Sequence, residues 1–156
     1  AKKIKNMIVV MQKNYDRGLI ERYEDEIDRS KMLIDKSIIS SLSFERTTHA
    51  KTIDLYYISL ISKDLERMVD HLICLSSKES DFLAQIHETI DSLQSIIEST
   101  NTLNNKIALQ FIKKASKIKN FEVKDVRSYD KERIRLSLIT IAEVIIDWAI
   151  TKDIEK

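Results

Sequence analysis

No proline and a single glycine, Gly18, interrupt these 156 residues. Proline removes a backbone donor and glycine costs about 1 kcal/mol inside a helix, so a chain nearly free of both can be helical almost throughout. The apolar residues recur three and four apart, as in Ile61, Leu65, Met68, Leu72 and Leu75. That spacing lines one side of an α-helix and is the pattern of bundle packing. Helices this long joined by short polar turns pack antiparallel, so the expected fold is all-α, an antiparallel up-and-down helical bundle in one domain.

The pattern divides the chain as follows. Residues 4 to 12 read as the tail of a helix, with Asn14-Tyr15-Asp16 as stop and N-cap; the alternative is one helix continuing through Gly18. The next helix runs to about Ser40 with Leu19, Ile20, Tyr23, Ile27, Leu33, Ile34 and Ile38 inward. Phe44-Glu45 opens a helix lasting to about Leu75, and Ser76-Ser77-Lys78 is the turn. Ser80-Asp81 caps a helix to about Ser99, with Phe82, Ile86, Ile90, Leu93 and Ile97 inward. A short basic helix from Lys106 to about Lys119 follows, then a loop over 120–128, then a last helix from Tyr129 to Lys152.

With 26 basic and 25 acidic residues interspersed, no global field points to nucleic acid or an anionic membrane. The single cysteine, Cys74, excludes an internal disulfide and any cysteine-based zinc site within one chain. No apolar run is long enough to span a bilayer and no signal peptide is visible, so a cytoplasmic protein is expected. One glycine cannot build a phosphate-cradling loop, and no nucleophile motif is present, so an enzyme is not expected. The lysines 113, 114, 117 and 119 lack interleaved aromatics and read as a solvated face rather than a nucleic-acid site. The opening Ala1-Lys2-Lys3 is already in helical pattern, and the chain reads as a fragment of a longer protein.

The residues that invite a chemical reading are acidic. Glu21/Asp25, Glu24/Asp28, Glu66/Asp70 and Glu143/Asp147 each stand four apart, so both carboxylates of a pair emerge on one helix face and repel. Glu143 and Asp147 lie in the apolar run Leu136 to Ile150 with no basic residue nearby in sequence, which reads as carboxylates near the core. Oxygen ligands on neighbouring helices are one way to bind iron, manganese or magnesium; the other reading is a narrow solvent strip, or pairing with lysines of the adjacent basic helix. His71 points about 100° away from Asp70 and reads as a surface or packing residue, while His49 and His87 stand alone. No Glu-x-x-His pair of the di-iron type occurs.

Leu65-Glu-Arg-Met-Val-Asp-His71, together with the earlier patch Glu24-Asp-Glu-Ile-Asp28, resembles the acidic motifs of the PhoU family of phosphate-uptake regulators. Glu143-Val-Ile-Ile-Asp147 stands where that family's second repeat has its motif. The resemblance implies a PhoU-like bundle of two pseudo-repeated three-helix units, residues 1–77 and 78–156, with the first helix truncated. It implies metal-facing carboxylates at Glu24, Asp28, Glu66, Asp70, Glu143 and Asp147, binding iron, zinc, manganese or magnesium, with no organic cofactor. It also implies regulation of phosphate transport through contacts with transporter or sensor proteins. A homodimer and a peripheral place at a membrane transporter are compatible with it, and the lysine- and isoleucine-rich composition is similar to archaeal members. Val69 and Ile146 depart from the family's usual glycine, and the short basic helix lacks an acidic pair. The alternative expectation is a helical interaction domain of a transcriptional or potassium-transport regulator, its acidic residues serving only as surface charge.

Overall fold

The computed structural model describes residues 1–43 and 51–154. Among them are six α-helices and no strand: α1 Lys2–Lys13, α2 Arg17–Ser43, α3 Thr52–Leu72, α4 Ser80–Glu98, α5 Asn105–Ala115 and α6 Val126–Ile154. Short 3-10 turns at Ser77–Glu79 and Thr100–Thr102 lead into α4 and out of it. Within these residues no helix is long and apolar enough to cross a membrane.

The helix ends follow local chemistry. Asn14 leaves helical geometry at φ −150°, and the Asp16 carboxylate accepts the Leu19 N–H at 3.0 Å, so the chain breaks before Gly18 rather than running through it. Asn104 caps α5 by accepting the Ile107 N–H. Asp125 accepts the Ser128 N–H at 2.7 Å while the Ser128 hydroxyl accepts from the Asp125 N–H at 3.0 Å. This reciprocal cap starts α6 at Val126, three residues before the position expected from the apolar pattern. Ser80-Asp81 is a correction: Ser80 is already helical and no side chain caps α4. Helix α3 ends at Leu72, although Leu75 stays buried, and α5 ends at Ala115, so Lys117 and Lys119 lie beyond it. The expected helix start at Phe44, and His49, lie outside the described residues, but Lys51 is extended and α3 begins at Thr52, so the expected helix does not run unbroken through it.

Neighbours in space close a ring in the order α1, α2, α3, α6, α5, α4, and back to α1. Cross-helix bonds give the directions. Lys3 Nζ reaches Glu26 and Ser30; Lys5 pairs with Asp91, and Gln12 donates to the Ser80 carbonyl. Lys114 meets Glu88, and Asn105 donates to Asp153. Each of these pairings is antiparallel, as the short connections require.

The core is one contiguous apolar cluster. Ile4, Met7, Ile8 and Met11 of α1 are buried against it, as are Phe82, Leu83, Ile86, Ile90 and Leu93 of α4. Two inward assignments on α2 fail: Leu33 is 63 % exposed and Leu19 is 37 % exposed, while Ile97 on α4 is only half-buried. The cause of the first is plain. Helix α1 runs antiparallel to α2 and its start lies beside Ser30, so beyond that point α2 packs chiefly on α3.

Candidate functional site

Helices α2 and α3 lie side by side and bring three of the candidate carboxylates together. Partial burial pushes the Glu24 carboxyl above its usual range, and Asp28 and Asp70 push it further. Burial likewise raises Asp70, followed by repulsion from Asp28, with His71 opposing. Three carboxylates on two helices thus share one strip of surface at which negative charge is costly. Lys31 lies within the fields of both Glu66 and Asp28 while its ammonium bonds Asp35 at 3.0 Å, so this part of the face carries its own counter-charge.

Glu143 and Asp147 do not join them. Both are exposed on α6, whose buried side is formed by Ile134, Leu138, Ile141, Ala142, Ile145, Trp148 and Ala149. Of the two readings that the sequence left open, the solvent strip is the one found, and the reason is the registry of that apolar set. Among the described residues no group of three His, Cys, Asp or Glu side chains could hold a metal ion. The α2–α3 strip therefore does not fit a closed metal centre.

His71 turns inward across the bundle. Its Nδ1 lies 2.9 Å from Asp130 Oδ1 on α6, with Tyr129 edge-on to the ring. Cys74, exposed at the end of this helix, donates weakly to the Asp70 carbonyl; burial and three nearby carboxylates push its thiol up, away from the reactive thiolate.

The densest polar constellation is one that spacing alone did not single out. Asp54 on α3, 4 % exposed, accepts the Trp148 Nε1–H at 2.8 Å and pairs with Lys152 at 2.9 Å. Tyr57 stacks on Trp148 at 5.8 Å and donates its hydroxyl to Thr151, whose own proton goes to the Asp147 carbonyl. The signal was present in the apolar stripes. Asp54 continues the series Tyr57, Ile61, Leu65, Met68, Leu72, and Lys152 continues Ile134, Leu138, Ile141, Ile145, Trp148. One charge of each sign on facing core stripes is a pair.

The raised carboxyls give a signed prediction. Each takes up its proton more readily folded than unfolded, so its contribution to stability falls as pH rises from the unfolded carboxyl pKa through the folded one. Asp70→Asn removes that loss. It is expected to raise the urea midpoint at pH 7 by a small amount, with the gain gone at acid pH where both forms are protonated. A lowered midpoint at pH 7 would show that Asp70 is held by an attractive partner instead.

Compared with known protein families, with curated proteins and with solved structures, the chain matches none.

Proposed function

We propose that this chain is a PhoU-like regulatory bundle that acts through protein–protein contacts rather than turnover. The single observation that carries this reading is the helix ring. In it α1, α2 and α3 have the same mutual neighbours as α4, α5 and α6, and the two sets meet through α1 with α4 and α3 with α6. Two three-helix units, residues 1–77 and 78–156, related in this way would place Glu66/Asp70 and Glu143/Asp147 at matching points of α3 and α6. Contacts with transporter or sensor proteins of phosphate homeostasis, at the cytoplasmic face of the membrane, complete the proposal.

The metal part of the proposal is narrower. Glu24, Asp28 and Asp70 would gather a divalent cation such as magnesium or manganese through its water shell, weakly, in the millimolar range typical of open carboxylate sites. Adding about ten times such a dissociation constant stabilises a fold by roughly 1.4 kcal/mol through mass action. The expected result is a rise in melting temperature of about 4 °C with magnesium or manganese at 10 mM. The triple variant Glu24→Gln/Asp28→Asn/Asp70→Asn should lose that rise, and Glu143→Gln/Asp147→Asn should keep it.

The second reading is a helical interaction domain of a transcriptional or potassium-transport regulator with no metal site. The exposure of Glu143 and Asp147 favours it, since an acidic pair in open water needs no cation. Equal melting of the native chain and the triple variant across the titration would select it.

A further inference from the structure

Helix α6 is apolar almost all the way round. Ile134, Leu138, Ile141, Ile145 and Trp148 fill the core, and Ile139, Val144 and Ile146 on its flanks are half-buried against the same cluster. A helix packed on one side keeps a polar outer edge, as α3 does over Lys63, Arg67 and Asp70. The outer edge of α6 instead carries Tyr129, Leu136, Ile150 and Ile154, each at least 40 % exposed. A helix apolar on every side belongs in an interior. Arg133, Thr140, Glu143 and Asp147 stand between those four and are exposed with them. The whole edge steps alternately by four and three residues from 129 to 154, which is the spacing of a helix–helix seam.

The charges on this edge say what covers it. Among the described residues Arg133, Glu143 and Asp147 have no ion-pair partner. Arg133 lies seven residues before Thr140 and Asp147 seven after it, with Glu143 on the Asp147 side. Two such edges laid parallel set like charges side by side. Laid antiparallel about a two-fold axis at Thr140, they set Arg133 of each copy opposite Asp147 of the other. The same operation brings Tyr129 of each copy to Ile150 of the other and Leu136 to the level of Val144. The edge is complementary to itself, as a two-fold contact requires. We propose that the outer edge of α6 is the contact between two copies of this chain, packed antiparallel about an axis at Thr140. An edge about 40 Å long and one helix wide, about 10 Å, covers roughly 800 Å² over both copies, at the small end for a specific interface. The dimer is therefore reversible, forming as concentration rises. It depends neither on the α2–α3 acidic strip nor on the regulatory reading above.

Sedimentation equilibrium tests this directly. From about 5 to 500 µM, the range in which a small interface titrates, the mass should climb from 18.2 kDa toward twice that value. Arg133→Asp and Asp147→Arg should each weaken the dimer roughly thirty-fold, since two attractive pairs become repulsive. Both sites are exposed, so the melting of dilute protein should stay as in the native chain. Mixed in equal amounts, the two variants should pair again, each supplying the charge the other has lost. A native chain that stays at one copy across the range overturns the proposal and leaves the edge to a different protein. A dimer that both single variants keep overturns it by placing the contact elsewhere. A mixture that associates no better than either variant alone overturns the antiparallel two-fold arrangement.

Discussion

Asp54→Asn is expected to lower the unfolding free energy by about 3 kcal/mol in urea at pH 7, a large share of the total for a chain of this size. The substitution is isosteric and keeps an oxygen to accept the Trp148 N–H, so packing is preserved. What it removes is the counter-charge of Lys152, which is 8 % exposed and has its ammonium 5.8 Å from the Trp148 ring centroid. A buried ammonium without its carboxylate is the costly state; a buried pair replaced as a whole is not. The double variant Asp54→Asn/Lys152→Met should therefore recover to within about 1 kcal/mol of the native protein. Equal losses in the single and double variants would mean that Asp54 serves Trp148 alone and that the ion pair contributes nothing.

Phe111→Ala should cost a similar amount, about 4 kcal/mol, through a different physical route. Helix α5 has 11 residues, below the length at which an isolated helix holds together in water. Phe111 is the one large side chain among its fully buried residues Ala108, Phe111 and Ala115, with Ile107 and Ile112 half-buried against the same core. Phe111 also borders a solvent-open cavity of about 320 Å³ shared with Ile96, Leu103 and Ile107. Truncation widens that cavity, and the site has little means of collapsing around it. Amide exchange should report the loss locally, with protection over 105–115 falling to that of the flanking turns while α1 and α4 keep theirs. Uniform loss across all helices would show that α5 is part of the cooperative core rather than a fastened appendage.

How far the residues alone reveal this fold depends on what each signal measures. Periodicity reports which side of a helix is apolar, and it located α3, α4 and α6 because those stripes are buried along their length. It misplaced Leu33 because the stripe of α2 outlasts the neighbour that would cover it, and the length of a neighbour is not a local property. Cap chemistry was legible at Asp16 and would have been at Asp125, where an acidic residue and a serine three apart bond reciprocally. The acidic face was half legible. The motif spacing found Glu24, Asp28 and Asp70, but only the antiparallel pairing of α2 with α3 brings the three together, and Lys31 lies in the field of Asp28 as well as Glu66. For Glu143 and Asp147 the apolar run leaves two readings open, a ligand pair near the core and a solvent strip, and only the registry of the buried set selects the strip. An apolar run of that length wraps the whole helix circumference, and the same run leaves room for one wet edge.

The seam between α3 and α6 is fastened by an aromatic N–H or imidazole against a carboxylate at either end, Trp148 with Asp54 and His71 with Asp130. The two fastenings are unlike in strength. The first is dry, stacked upon by Tyr57 and locked by an ammonium, whereas the His71 side chain is 23 % exposed with solvent at its edge. A seam pinned firmly at one end and lightly at the other opens like a book rather than sliding apart. The His71 end of the seam, beside the acidic strip, is therefore expected to exchange its amide protons faster than the Trp148 end.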